Sequence, residues 1–179
     1  GVIGIWPANS VGDDIEVYDA NGSGALKGTF HTLRQQEERE DATYYAMSDF
    51  IAPKASGKTD YIGAFAVSAG FGCEDVCAEL RRQNDDYKGI MMEAVADRLA
   101  EAFAELLLAK MRTELWGYAP DEKLDVEDML KTQYEGIRPA PGYPTQPDHT
   151  EKHPMRKLLA HDPIRPNSAA GPPLTCATT

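Results

Sequence analysis

An α+β fold is predicted by the order in which the hydrophobic period changes along the chain. Strand-like segments come first: the continuous apolar run Val2-Ile3-Gly4-Ile5-Trp6, the alternating Asp14-Ile15-Glu16-Val17-Tyr18, and the nearly unbroken Tyr61-Ile62-Gly63-Ala64-Phe65-Ala66-Val67. Helical periodicity takes over after Cys73. Strands grouped ahead of helices, rather than alternating with them, argue for α+β over a parallel α/β sheet.

Taken in order, the first strand is buried and bounded by Pro7-Ala8-Asn9. The second has one wet face. Asn21-Gly22-Ser23-Gly24 supplies a turn, because Asn and Gly tolerate positive φ, and 29–33 forms the returning strand of a hairpin. The charged stretch 35–41 leaves the sheet as a solvated loop or short helix, and 48–53 is irregular, closed by Pro53. Residues 61–67 read as a strand buried on both faces.

A short helix is expected over 74–83, and a long one over 86–116. Met91, Val95, Leu99, Phe103, Leu107, Met111 and Leu115 recur every four residues along the long helix and predict its core face. At 1.5 Å per residue it spans roughly 45 Å. Gly117 and Pro120 end it. Asp125 caps a third helix reaching Tyr134, with Glu127 and Asp128 in the favourable first turn, and Gly136 stops it. The stretch 138–147 holds too many prolines for helix or inner strand. A last helix is expected over 151–160, with Pro154 tolerated near its start. Pro163, Pro166, Pro172 and Pro173 and the scarcity of large apolar residues predict a disordered tail.

The 179 residues carry a formal net charge of −11, with 18 Lys and Arg against 29 Asp and Glu. An acidic surface disfavours nucleic acid, since phosphate binding needs a basic face. No apolar run approaches the ~18–20 residues needed to span a bilayer, and the opening residues lack the basic start of a signal peptide. Three cysteines make no disulfide framework, which points to a reducing compartment and a cytoplasmic location. The chain opens inside an apolar run without Met, as a piece of something longer would.

Two features have the makings of a ligand site. In Arg138-Pro139-Ala140-Pro141-Gly142-Tyr143-Pro144 the prolines lower the cost of ordering a loop, and Gly142 lets a ligand approach the backbone. Arg138 offers a planar fork of donors for a carboxylate; Tyr143 offers a flat face and a hydroxyl. A structural connector whose Arg pairs with a surface acid is the commoner reading of such a loop. Glu93, Asp97, Glu101 and Glu105 form an acidic i, i+4 ridge on the long helix, mildly unfavourable unless a cation answers it. Glu101, set among Leu99, Ala100, Ala102 and Phe103, can accept from an ammonium or a ribose hydroxyl. The wet face of an amphipathic helix is the plainer reading of that ridge.

Other motifs are poor. Cys73 and Cys77 stand four apart with no second pair for zinc. His149 and His153 fit no metal-binding spacing, and His149 more plainly closes a turn or caps the next helix. Ala69-Gly70-Phe71-Gly72 has the wrong spacing for a dinucleotide fingerprint, and there is no P-loop or nucleophile elbow. No catalytic residue and no metal ligand set is assigned.

The segments Asp60-Tyr61-Ile62-Gly63-Ala64-Phe65-Ala66-Val67, Asp85-Asp86-Tyr87, 96–105 and Gly136-Ile137-Arg138-Pro139-Ala140-Pro141-Gly142-Tyr143-Pro144 together resemble the C-terminal activation domain of cobalamin-dependent methionine synthase. Gly12-Asp13-Asp14-Ile15 and Pro147-Asp148-His149-Thr150-Glu151-Lys152 extend the similarity in unbroken order. The resemblance implies a bent antiparallel sheet packed against a long helix and shorter helices. It implies S-adenosylmethionine bound in a shallow groove without a Rossmann fold, with its methyl group passed to reduced cobalamin when the enzyme is reactivated. By the same resemblance Arg138 contacts the ligand, Ala140 and Tyr143 supply backbone and aromatic contacts, and Glu101 is an acidic contact. The domain is not catalytic on its own. Cobalamin and zinc belong to other modules of the enzyme, and the implied partners are the cobalamin-binding domain and a flavodoxin-like or diflavin reductase. The expected organisation is a partial activation domain over 1–161 and an unrelated Pro-rich tail over 162–179, which lacks the family's Gly-x-Tyr-Phe strand. The alternative is a ligand-incompetent fragment that serves only as an interaction surface for the reductase or the cobalamin domain.

Overall fold

The computed structural model describes residues 1–38 and 43–159. The expected tail at 162–179 and the end of the charged 35–41 stretch lie outside the described residues. Contacts divide the described residues into two compact units, one of Val2–Phe65 with 138–159, the other of Ala66–Ile137 with Gly1.

The first unit is built on an antiparallel sheet of β1 (Val2–Val11), β2 (Asp14–Tyr18), β3 (Leu26–His31) and β4 (Asp60–Ala66), in the order β3-β2-β1-β4. Ile15 and Val17 are fully buried, while Asp14, Glu16 and Tyr18 between them keep one face wet, as the alternation predicts. On that wet face Glu16 accepts from Lys54 and from the Tyr18 hydroxyl, both at 2.6 Å. Buried Ile62, Gly63, Ala64 and Phe65 make β4 the two-faced strand its sequence predicts.

Two strand boundaries differ from expectation. β1 does not stop at Pro7 but runs to Val11, where Gly12, at φ 63°, turns the chain into β2. Its register with β2 begins at Ala8↔Val17, so the N–H that Pro7 lacks is never required by that ladder. β3 starts at Leu26 rather than 29, because a bulge pairs Val17 with Gly28 and Tyr18 with Leu26. Leu26 is exposed, so no alternation announces this start.

Further along, Arg34 gathers the unit's connections. Its guanidinium donates to Asp49 at 2.6 and 2.9 Å, to Asp13 at 2.7 Å and to the Tyr44 carbonyl at 3.0 Å. Asp49 also accepts the Ala46 N–H at 3.0 Å and so pins the 3-10 turn Met47–Phe50. Arg34 above all holds the Asp49 carboxyl below its ordinary value. The unit closes with a 3-10 turn, His149–Glu151, running into α4 (Lys152–Leu158), with Pro154 near the helix start where it is tolerated.

The second unit holds α1 (Cys73–Arg82), α2 (Asp86–Lys110) and α3 (Val126–Leu130). Asp85 caps α2 by accepting the Lys88 N–H at 3.2 Å. The expected single helix to 116 becomes a π-helical turn over Met111–Leu115, in which Trp116 donates to the Met111 carbonyl at 2.9 Å. Arg112 in this turn is fully buried; its Nε donates to Glu122 at 2.7 Å and its guanidinium stacks 4.4 Å above the Tyr134 ring. α3 is shorter than predicted. Its capping box, Asp125 with Asp128, forms as the sequence suggests, but the helix ends at Leu130, and Thr132 takes φ 55°. Tyr134 lies beyond the helix, where it serves the Arg112 stack.

The predicted core face of α2 is corrected by helical geometry. Residues four apart step about 40° around an α-helix, so the row from Met91 to Met111 winds through roughly 200° and cannot face one core. Leu107 and Met111 are buried, at 8% and 2% exposure, whereas Leu99 is 56% exposed and Met91 and Val95 are exposed with it. The face that α2 buries is instead Gly89, Ala100, Ala104, Leu107 and Leu108. Tyr87, Ile90, Val95, Leu99 and Leu106 are exposed apolar side chains on this helix, beside its exposed charged residues.

Candidate functional site

The residues singled out by sequence fall into both units: Arg138, Ala140, Gly142 and Tyr143 in the sheet unit, Glu101 in the helical unit. In the first group, Tyr143 N–H donates to the Ala140 carbonyl at 3.0 Å, which closes a turn with Pro141 and Gly142 at its centre. Proline at the second position and glycine at positive φ at the third are the residues a type II turn requires, and Gly142 has φ 105°. A second turn follows at once, Gln146 N–H donating to the Tyr143 carbonyl at 2.9 Å. Gly142 N–H then donates to the Gln146 carbonyl at 2.8 Å and locks the two turns together.

The doubled turn is anchored from outside as well. Thr145 offers its carbonyl to the Met47 N–H at 3.2 Å, which ties the loop to the turn that Asp49 and Arg34 hold. Pro139, Pro141 and Gln146 are buried, Arg138 and Ala140 are half-buried, and Tyr143 is 65% exposed. The loop therefore fixes its backbone and presents one flat aromatic side chain. Ala140, expected to give a backbone contact, spends one lone pair of its carbonyl on Tyr143 N–H and retains the other.

His149 was expected to close a turn or cap a helix; Asp148 is the cap, accepting the Thr150 N–H at 2.8 Å. The His149 ring packs against Gly142 instead. Gln146 and His149 are the two residues of this loop that sequence reasoning did not single out for it. Spacing alone offers no signal for either, because both act through contacts across a turn. A buried acid also stands close by in sequence: Glu151, 5% exposed, accepts the His31 N–H at 3.2 Å, and burial pushes its carboxyl above the ordinary value.

On α2, Glu101 is exposed on the helix surface. The acidic ridge winds as the apolar row does. Glu93, at its start, turns toward α1 and accepts from Arg81 at 2.5 Å, so one end of the ridge has its cation. Glu93 and Asp97 also lie near Cys73, whose thiol is pushed up by burial first and by its hydrogen bond with Cys77 next. A protonated thiol in acidic surroundings makes a poor nucleophile. Among the described residues no group of three or more His, Cys, Asp or Glu side chains is placed to hold a metal, and no helix is long and apolar enough to cross a membrane.

Comparison with known proteins bears on the family and the fold. A model of the vitamin B12 dependent methionine synthase activation domain matches residues 1–165. A solved structure described as the MetH reactivation domain bound to AdoHcy is similar with a TM-score of 0.82 and 50% sequence identity, over 88% of this chain and 49% of that one. This chain thus spans about half the length of that relative. With the family model matching most of its length and the fold in agreement, the chain belongs to the family of vitamin B12 dependent methionine synthase activation domains.

Proposed function

We propose that this chain is the S-adenosylmethionine-binding part of the module that reactivates cobalamin-dependent methionine synthase. The observation that carries the reading is the type II turn of Ala140-Pro141-Gly142-Tyr143 directly after Arg138, closed by its own backbone hydrogen bonds. Arg138 pairs with the ligand carboxylate, Tyr143 supplies an aromatic face, and Ala140 and Gly142 supply close backbone approach. Glu101 accepts from the ammonium or a ribose hydroxyl and answers the positive charge of the ligand. None of these groups breaks a bond. S-adenosylmethionine carries the methyl group on a sulfonium, and the reduced cobalt of a cobalamin held by another module accepts it. The electron comes from a flavodoxin-like or diflavin reductase, and the work is done in the cytoplasm. Support comes from the bound compound named for the similar structure, which is the demethylated form of the proposed ligand.

The test is titration calorimetry with S-adenosylmethionine on the native chain and on Arg138→Ala. Saturable binding that Arg138→Ala weakens is expected; absence of binding, or equal affinity in the variant, overturns the reading. A second reading, a docking surface for the reductase or the cobalamin domain without ligand binding, is favoured by one observation. Tyr87, Val95, Leu99 and Leu106 of α2 are apolar and exposed.

A further inference from the structure

Gly142 makes the ligand loop possible and is also the residue least able to hold it. Without a Cβ it crosses between conformations more freely than any other residue, so a turn centred on it is easily lost. The structure supplies a restraint from outside the turn. A Cβ built on Gly142 would lie 2.6 Å from Nε2 and 3.0 Å from Nδ1 of His149, with Cε1 closer still. Carbon atoms do not approach so closely, so the imidazole occupies the volume that a side chain at 142 would need. The backbone of His149 is set as the first residue of a 3-10 turn whose N-cap, Asp148, accepts the Thr150 N–H at 2.8 Å. The residue is otherwise exposed.

We propose that His149 is a positioning residue for the ligand loop: its ring props Gly142 in the left-handed conformation and so sets the direction in which Tyr143 leaves the turn. The inference rests on the reading that the loop receives an S-adenosyl ligand. His149 acts through Gly142 and needs no contact with the ligand. The ring's shape is what matters, so another flat ring serves and a small side chain does not.

Calorimetry with S-adenosylhomocysteine on the native chain, Arg138→Ala, His149→Ala and His149→Phe reads the effect on the ligand. A displacement of a contact group by about 1 Å is enough to cost a large factor, and His149→Ala should weaken binding roughly tenfold, with His149→Phe within about twofold of native. Thermal unfolding of Gly142→Ala, His149→Ala and the double variant reads the contact without ligand. The strain at φ 105° is common to both backgrounds, so Gly142→Ala should lower the melting temperature less when His149 is already alanine. If Arg138→Ala leaves binding unchanged, the ligand reading falls and this inference with it. If Arg138→Ala weakens binding but His149→Ala does not, or His149→Phe is as weak as His149→Ala, the positioning role alone is overturned. Strictly additive unfolding effects at 142 and 149 overturn the contact itself.

Discussion

The doubled turn at 138–146 and the helix α2 carry the proposed ligand groups, and they hold those groups by opposite means. In the turn, three backbone hydrogen bonds and one tether to Met47 fix the chain, with Pro139 and Pro141 buried. On α2 the helical ladder fixes every Cα by itself, and one apolar face decides how the helix seats in its unit. A change at one loop residue is therefore felt by its neighbours. A change at an exposed α2 residue is absorbed where it is made.

The sharpest way to break that contrast uses the winding row of α2 itself. Leu99 and Leu107 belong to the same i+4 series, yet one is 56% and the other 8% exposed. Leu107→Ala should cost ~2–5 kcal/mol of stability, the range for emptying a buried leucine site. Leu99→Ala should stay within ~0.5 kcal/mol of native. Denaturant unfolding of the two variants settles it, and comparable losses would mean that the exposed face is covered in solution.

A somewhat smaller effect is expected for ligand binding. Arg138→Ala should weaken S-adenosylmethionine by ~2–4 kcal/mol, the scale of a charge-assisted pair lost from a partly desolvated site. Glu101→Gln should weaken S-adenosylmethionine more than uncharged-sulfur S-adenosylhomocysteine, with helicity by circular dichroism unchanged. Should Glu105→Gln reproduce the loss, Glu101 acts only through the general field of the ridge.

The same contrast explains what could be read in advance. The Pro-rich loop at 138–144 was legible as rigid because backbone chemistry is local: each proline presets a φ; that Pro141-Gly142 forms a type II turn came from the structure. β4 was legible from an apolar run too continuous for a half-exposed strand, and the α3 cap from Asp125. The orientation of α2 was not legible, because an i+4 row marks a helix without saying which part of the row meets a neighbour. α3 was overextended because Tyr134 fits its pattern, while the demand that placed it, the buried Arg112, is distant in sequence. His149 was missed for a related reason: nothing in its neighbours reveals that it lies on Gly142. Tertiary contacts between a ring and a missing Cβ leave no periodic trace.

Further down the scale, Asp49→Ala tests whether the loop depends on its remote anchor. It removes two bonds from Arg34 and the acceptor for Ala46 N–H, and lies outside the 138–146 loop in sequence. The ion pair is largely solvated, so the stability loss should be only about 1 kcal/mol. Ligand affinity should fall measurably all the same, because Met47 N–H holds Thr145 through this turn. Native affinity in Asp49→Ala would show that the doubled turn needs no support beyond its own bonds.

The smallest expected effect concerns Glu151, the buried acid that follows the loop. Burial raises its carboxyl above the ordinary 4.5, with the His31 N–H acting in the opposite direction and Asp148 and Asp14 adding to the rise. The folded chain therefore binds this proton more tightly than the unfolded chain. Between 4.5 and the folded value the folded state holds more protons, so this group's contribution to stability falls as pH rises through that window. Carboxyls held below their ordinary value, such as Asp49 and Asp148, run the other way and lose their contribution as pH drops. Both are present in native and Glu151→Gln proteins; Asp49 cancels in the difference, and Asp148, which contributes to the rise at Glu151, cancels only in part. Glutamine keeps an oxygen for the His31 N–H and carries no charge. Glu151→Gln should accordingly melt slightly above native near pH 7, and the gap should close near about pH 4, where the native carboxyl is protonated. A gap of the same size and sign at both pH values would show that side-chain packing, and not the buried charge, separates the two proteins.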